Sequence, residues 1–142
     1  MKYVVMVSHG EFAPGLHSAV KMMTGERPEV LSTSLRDGMG TPEFIENFKK
    51  LIEPITADDE IVLLADILSG SPFTSALSVL DEKGYMDNTI VIAGMNMPLA
   101  VTAVLMKDNM DQEMLKGTLL SEGQAGLCIY EPKVDDGSEE EI

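Results

Sequence analysis

The chain has 142 residues, enough for one domain with little room for a second. It is 44% hydrophobic, with 11 Met, no Trp, one cysteine (Cys128) and no apolar run of membrane-spanning length, which excludes a transmembrane span, a disulfide scaffold and a cysteine-based metal cluster. A net charge of -14 opposes sequence-independent binding to nucleic acid or to an anionic membrane, because both need a basic surface.

The first segment, Lys2 to Ser8 (KYVVMVS), is apolar without alternation and rich in Val. Such a run predicts a strand buried on both faces. It starts without a basic leader, so no signal peptide is expected, and the lone cysteine suits a reducing cytoplasm. A helix follows around Pro14, carrying His17 and the Met22-Met23 pair, and Val30 to Leu35 (VLSTSL) supplies a second strand. Phe44, Ile45, Phe48, Leu51 and Ile52 then form one apolar stripe at helical spacing.

Ile61 to Ala65 (IVLLA) is the third strand, followed by a helix with Phe73, Ala76, Leu77 and Leu80 on its apolar face and Gly84 at its C-terminal end. Thr89 to Ala93 (TIVIA) is the fourth strand, and a helix led by Pro98 follows it. Pro14, Pro42, Pro72 and Pro98 all stand at helix starts, where a missing N–H costs nothing, and Thr41 and Ser71 are candidate N-caps. A further helix is expected over Met110 to Ser121, then a short strand over Leu127 to Tyr130 with Cys128 buried in it. Residues 131–142 carry a net charge of -5 and read as a disordered acidic tail, whereas residues 1–40 are neutral, which leaves room for an anion-handling site there.

Strands alternating with Pro-led helices predict an α/β fold, an open parallel sheet of order 2-1-3-4 with helices on both faces. In such a sheet the ligand sits beyond the carboxyl ends of the strands, at the switch point between strands one and three. Strand one runs into Ser8-His9-Gly10 and strand three into Asp66. The topology therefore sets His9 beside Asp66. A carboxylate beside an imidazole fixes its tautomer and leaves the other ring nitrogen as a directed nucleophile. Ser69-Gly70-Ser71-Pro72 opens the next helix, whose free amides and dipole favour an anion, so the three elements together read as a phosphohistidine centre. No P-loop sequence occurs, so the phosphoryl donor is expected to be a protein or a small phosphoanhydride. No metal and no cofactor is called for. His17 has no carboxylate at matching spacing and reads as a surface histidine, and most Met residues read as core filling, with Met22, Met23, Met95 and Met97 as candidates for an apolar docking rim.

Three segments carry a family resemblance: Val5-Met6-Val7-Ser8-His9-Gly10, Leu63-Leu64-Ala65-Asp66 leading into Ser69-Gly70-Ser71-Pro72-Phe73, and Val91-Ile92-Ala93-Gly94-Met95-Asn96-Met97-Pro98. In order and interval they resemble the IIA components of the mannose family of the bacterial sugar phosphotransferase system, over residues 1–130. The resemblance implies that His9 accepts a phosphoryl group from HPr and passes it to a IIB component, with Asp66 as the partner of that histidine. It also implies a cytoplasmic homodimer in which Leu127 to Tyr130 is the strand exchanged between subunits. The membrane permease is reached only indirectly, and IIB is expected on a separate chain. Ser69 departs from the Gly of many members, and Ile67-Leu68 replaces a more polar or aromatic pair. Two other readings are carried beside this one. One is a phosphotransfer subunit serving dihydroxyacetone kinase; the other is a regulatory module whose phosphorylation state is the signal. A receiver-type phosphoacceptor is disfavoured because Ser8-His9 stands where acidic residues would be needed.

Overall fold

A computed structural model describes residues 1–133. Among these, four strands form one parallel sheet: β1 (Lys2–His9), β2 (Val30–Leu35), β3 (Glu60–Ala65) and β4 (Thr89–Ala93), in the order β2-β1-β3-β4. Leu31, Val5, Leu63 and Val91 line up across all four strands, which sets the register. The helices are α1 (Phe12–Thr24), α2 (Thr41–Leu51), α3 (Ser71–Glu82), α4 (Met97–Met106) and α5 (Gln112–Ala125).

Period-two alternation on β1 shows why its sequence is apolar throughout. Val4 and Met6 point to a core shared with α1, α4 and α5, while Tyr3, Val5 and Val7 point to a second core shared with α2 and α3. Both faces are thus covered, and each fully buried aliphatic side chain contributes about 1.5–3 kcal/mol. At the amino end of β2, the buried Lys107 ammonium is held by Glu29 at 3.0 Å and Asp108 at 2.9 Å, the pairing a buried charge requires.

Four details differ from the sequence reading. Leu127 to Tyr130 forms no strand in the single chain, and Cys128 is exposed, because the segment has no strand beside it to bond. Thr41 and Ser71 do not cap their helices. Gly40 and Gly70 take the extended cap conformation instead, leaving Thr41 and Ser71 as first helical residues and Pro42 and Pro72 second. Met95 belongs to the core rather than to a docking rim, while Met22 and Met23 are exposed on α1. His17 is half-buried, its Nδ1 2.7 Å from Ser32 Oγ, because α1 lies against β2. Of the acidic tail, residues 134–142 lie outside the described residues. No helix among the described residues is long and apolar enough to cross a membrane.

Candidate functional site

The carboxyl ends of β1 and β3 converge because their ladder runs out there. Val7 pairs with Ala65, and one residue further on the side chain of Asp66 takes over from the backbone. Asp66 Oδ2 accepts the His9 main-chain N–H at 2.9 Å and lies 2.8 Å from His9 Nδ1, although 57 residues separate the two in sequence. The other oxygen, Oδ1, accepts the Ile67 N–H at 2.9 Å. Burial works to raise the Asp66 carboxyl, but the His9 amide, the His9 ring and the Ile67 amide outweigh it, so the group is held below its ordinary value. An ionised Oδ2 can only accept, which assigns the ring proton to Nδ1 and leaves the lone pair on Nε2. The His9 side chain is 45% exposed and that of Asp66 only 12%, so the ring reaches solvent more than its carboxylate partner.

The loop after Asp66 brings α3 against that free nitrogen. A Cβ built on Gly70 would stand 2.6 Å from His9 Cε1 and 3.3 Å from Nε2. Only glycine lets the helix start this close to the ring. The Thr74 N–H already bonds the Gly70 carbonyl at 2.9 Å, and Pro72 has no N–H. Helix geometry then leaves the amides of Ser71 and Phe73 without an intrahelical acceptor in the turn that follows Gly70. Ser69 adopts a left-handed backbone with φ 74°, which turns the chain into the helix. Both serine side chains are exposed. His9, Asp66 and Gly70 are therefore in one cluster, with Ser69 and Ser71 flanking Gly70. His17 stands apart, bonded to Ser32 and not to a carboxylate. Its imidazole is pushed toward the neutral form, first by burial and then by Lys21.

Three positioning residues escaped the sequence reading. Ser8 is fully buried; its Oγ accepts the Ala13 N–H at 2.6 Å and donates to the His9 carbonyl at 3.0 Å, tying the backbone of His9 to α1. A lone polar residue ending an apolar strand was the available signal. Gly10, at φ 57°, makes the bend between β1 and that helix. Asn96 caps α4 by accepting the Leu99 N–H at 3.0 Å and donates from Nδ2 to the Gly123 carbonyl at 2.9 Å, joining α4 to α5.

Residues 3–119 match the family model described as the PTS system fructose IIA component, the mannose-type EIIA family. The chain belongs to this family. Among curated relatives, it is 25% identical over 126 residues to the fructose-specific EIIA component of Bacillus subtilis (strain 168), covering 89% of this chain and 84% of that protein. It is 26% identical over 106 residues to the mannose-specific EIIAB component of Escherichia coli (strain K12), covering 75% of this chain and 32% of the relative, so the chain spans about a third of that longer protein. The mannose/sorbose-specific IIA subunit from Enterococcus faecalis shares the fold with a TM-score of 0.77 at 22% identity, covering 94% of this chain and 99% of the other. As an EIIA component, the chain is part of the sugar phosphotransferase system. The cluster of His9, Asp66 and Gly70 falls inside the matched residues.

Proposed function

We propose that this EIIA component carries a phosphoryl group on His9 Nε2, accepting it from phospho-HPr and passing it to a separate IIB component in the cytoplasm. The observation that carries the reading is the double hold of Asp66 Oδ2 on His9, which leaves Nε2 as the exposed lone pair beside the first turn of α3. In the forward step the Nε2 lone pair attacks phosphorus. A new N–P bond forms as the donor's N–P bond breaks, and the donor imidazole leaves with the electron pair. The Nδ1 proton stays where Asp66 holds it, so the phosphorylated ring is cationic and the adjacent carboxylate offsets that charge. Amides of the Ser69–Ser71 loop and the α3 dipole are suited to the phosphoryl oxygens. Transfer to IIB reverses the same bond changes. The sugar is handled downstream of IIB, so specificity for it lies in the partners.

We further infer that two chains pair, with Leu127 to Tyr130 of one laid along β4 of the other. β4 ends the sheet with an unpaired edge, and Leu127, Ile129 and Tyr130 are more than four-fifths exposed. The deciding experiment incubates the chain with phosphoenolpyruvate, enzyme I and HPr and follows intact mass. Gain of one acid-labile phosphoryl group that moves on to a IIB acceptor supports the reading; no gain overturns it.

A further inference from the structure

We propose that the partner copy completes the phosphoryl-transfer loop: the C-terminal segment of one chain, seated on β4 of the other, covers Ile67 and Leu68 and holds the loop between Asp66 and Gly70 in its working shape. The inference rests on the phosphotransfer and pairing readings above and adds a dependence of the chemistry on the pair.

The groove that would receive the segment is also a wall of the site. A cavity of ≈ 610 Å³ runs between Asp66, Ile67 and Leu68 on one side and β4 residues Ile92 and Ala93 on the other, with Leu120 of α5 along its flank. A second groove of ≈ 280 Å³ extends it along β4 to Asn96 and Leu127. The match in length is close, since four extended residues span about 13 Å and the five of β4 about 16 Å. The match in chemistry is close too, because Leu127-Cys128-Ile129-Tyr130 contains no Asp, Glu, Lys or Arg and the groove walls are mainly aliphatic. The exit point of the segment is set rigidly. A Cβ on Gly126 would stand 2.6 Å from Pro98 Cγ, and Asn96 holds the Gly123 carbonyl just before it. From that fixed point Leu127, Ile129 and Tyr130 run off at 83–87% exposure, leaving their own β4 edge open.

The loop itself gives the reason for the coupling. Ser69 holds φ at 74°, a conformation that costs a non-glycine residue free energy and persists where surroundings enforce it. In the single chain those surroundings are thin, with Ile67 53% and Leu68 70% exposed. A strand seated against them supplies the missing enforcement. The loop then keeps Gly70 against the His9 ring.

The test uses the full chain with Leu127→Asp and Ile129→Asp together, which puts charge on the segment and leaves His9, Asp66 and residues 67–71 unaltered. The expected result is a folded monomer by circular dichroism and light scattering. Amide hydrogen exchange at residues 67–69 should be about tenfold faster than in the wild-type dimer, and single-turnover transfer from phospho-HPr at least about tenfold slower. Adding Ser69→Gly, which removes the backbone cost, should recover most of the rate while the protein stays monomeric. A monomer with wild-type exchange and transfer overturns the proposal. So does a slow monomer that Ser69→Gly leaves slow, or a double variant that remains dimeric. If the wild-type dimer takes no phosphoryl group at all, the phosphotransfer reading fails, while the exchange comparison still decides whether the partner holds the loop.

Discussion

A single oxygen of Asp66 holds His9 twice, through the ring Nδ1 at 2.8 Å and through the main-chain N–H at 2.9 Å. The two contacts fix both the position and the tautomer of the imidazole, so loss of the carboxylate affects geometry and charge together. Asp66→Asn keeps the shape but not the negative charge beside a cationic phosphorylated ring. Single-turnover transfer from phospho-HPr should slow by about 10- to 1000-fold with the fold intact. An unchanged rate would remove Asp66 from the mechanism.

His9→Ala should abolish acid-labile phosphorylation, while His17→Ala should leave it unaltered. The two histidines differ in partner. His9 has a carboxylate and an exposed ring, whereas His17 is half-buried against Ser32. Intact mass after incubation with phosphoenolpyruvate, enzyme I and HPr separates them, and phosphate persisting on the His9 variant would reassign the acceptor.

Gly70→Ala tests the close approach of α3 to the ring. The new methyl would meet His9 Cε1 at 2.6 Å, and the half-exposed ring is freer to yield than the helix. The ring is expected to swing out of its bond with Asp66. Transfer should fall by about tenfold or more, while stability changes by about 1 kcal/mol or less. Urea unfolding measured beside transfer kinetics distinguishes a displaced ring from a damaged fold.

The depressed Asp66 carboxyl makes a signed prediction for pH. Its folded value lies below its unfolded one, near about 3.9 for a free Asp. Its contribution to stability is therefore complete well above that pH and is lost as pH falls through the lower folded value. The stability gap between wild type and Asp66→Asn should hold from neutral pH to about 5 and shrink below about 4. Denaturant titrations across that range measure it. A gap independent of pH would mean that the native hydrogen bonds do not favour the ionised carboxylate.

Pairing of chains predicts a particle of twice the chain mass by light scattering at micromolar concentration. Removing residues 127–142 should give a monomer with β4 exposed, and with it a tendency to aggregate through that edge. A truncated chain that remains a stable dimer would place the interface elsewhere.

The sheet was legible because each strand carries its own evidence. Val4, Val5, Met6 and Val7 are apolar at successive positions, and only a strand covered on both faces needs that pattern. The meeting of His9 and Asp66 was legible for a related reason, since both sit at ends of strands that a parallel sheet of this order makes neighbours. The starts of α2 and α3 are legible to within one residue, with Gly40 and Gly70 rather than Thr41 and Ser71 in the caps, whereas α5 starts at Gln112, two residues after the expected Met110. At Gly70 the choice was made by a ring arriving from another strand, and no local propensity encodes that. Ser8 looked like the polar end of a strand, and only the packing of α1 gave its hydroxyl two partners.

Leu127 to Tyr130 marks the other boundary between the two kinds of information. Its residues have strand character, yet a strand exists only where a neighbouring edge accepts its hydrogen bonds. Local pattern in the chain marks which segments can be strands, which faces they bury and which two side chains stand at the switch point. The tertiary structure alone decided how near α3 comes to His9, which nitrogen is left free and that no edge in the single chain meets the last apolar segment. The difference is one of range. Periodicity and propensity act within a few residues, whereas the distance between two groups 57 positions apart is set by every layer packed between them.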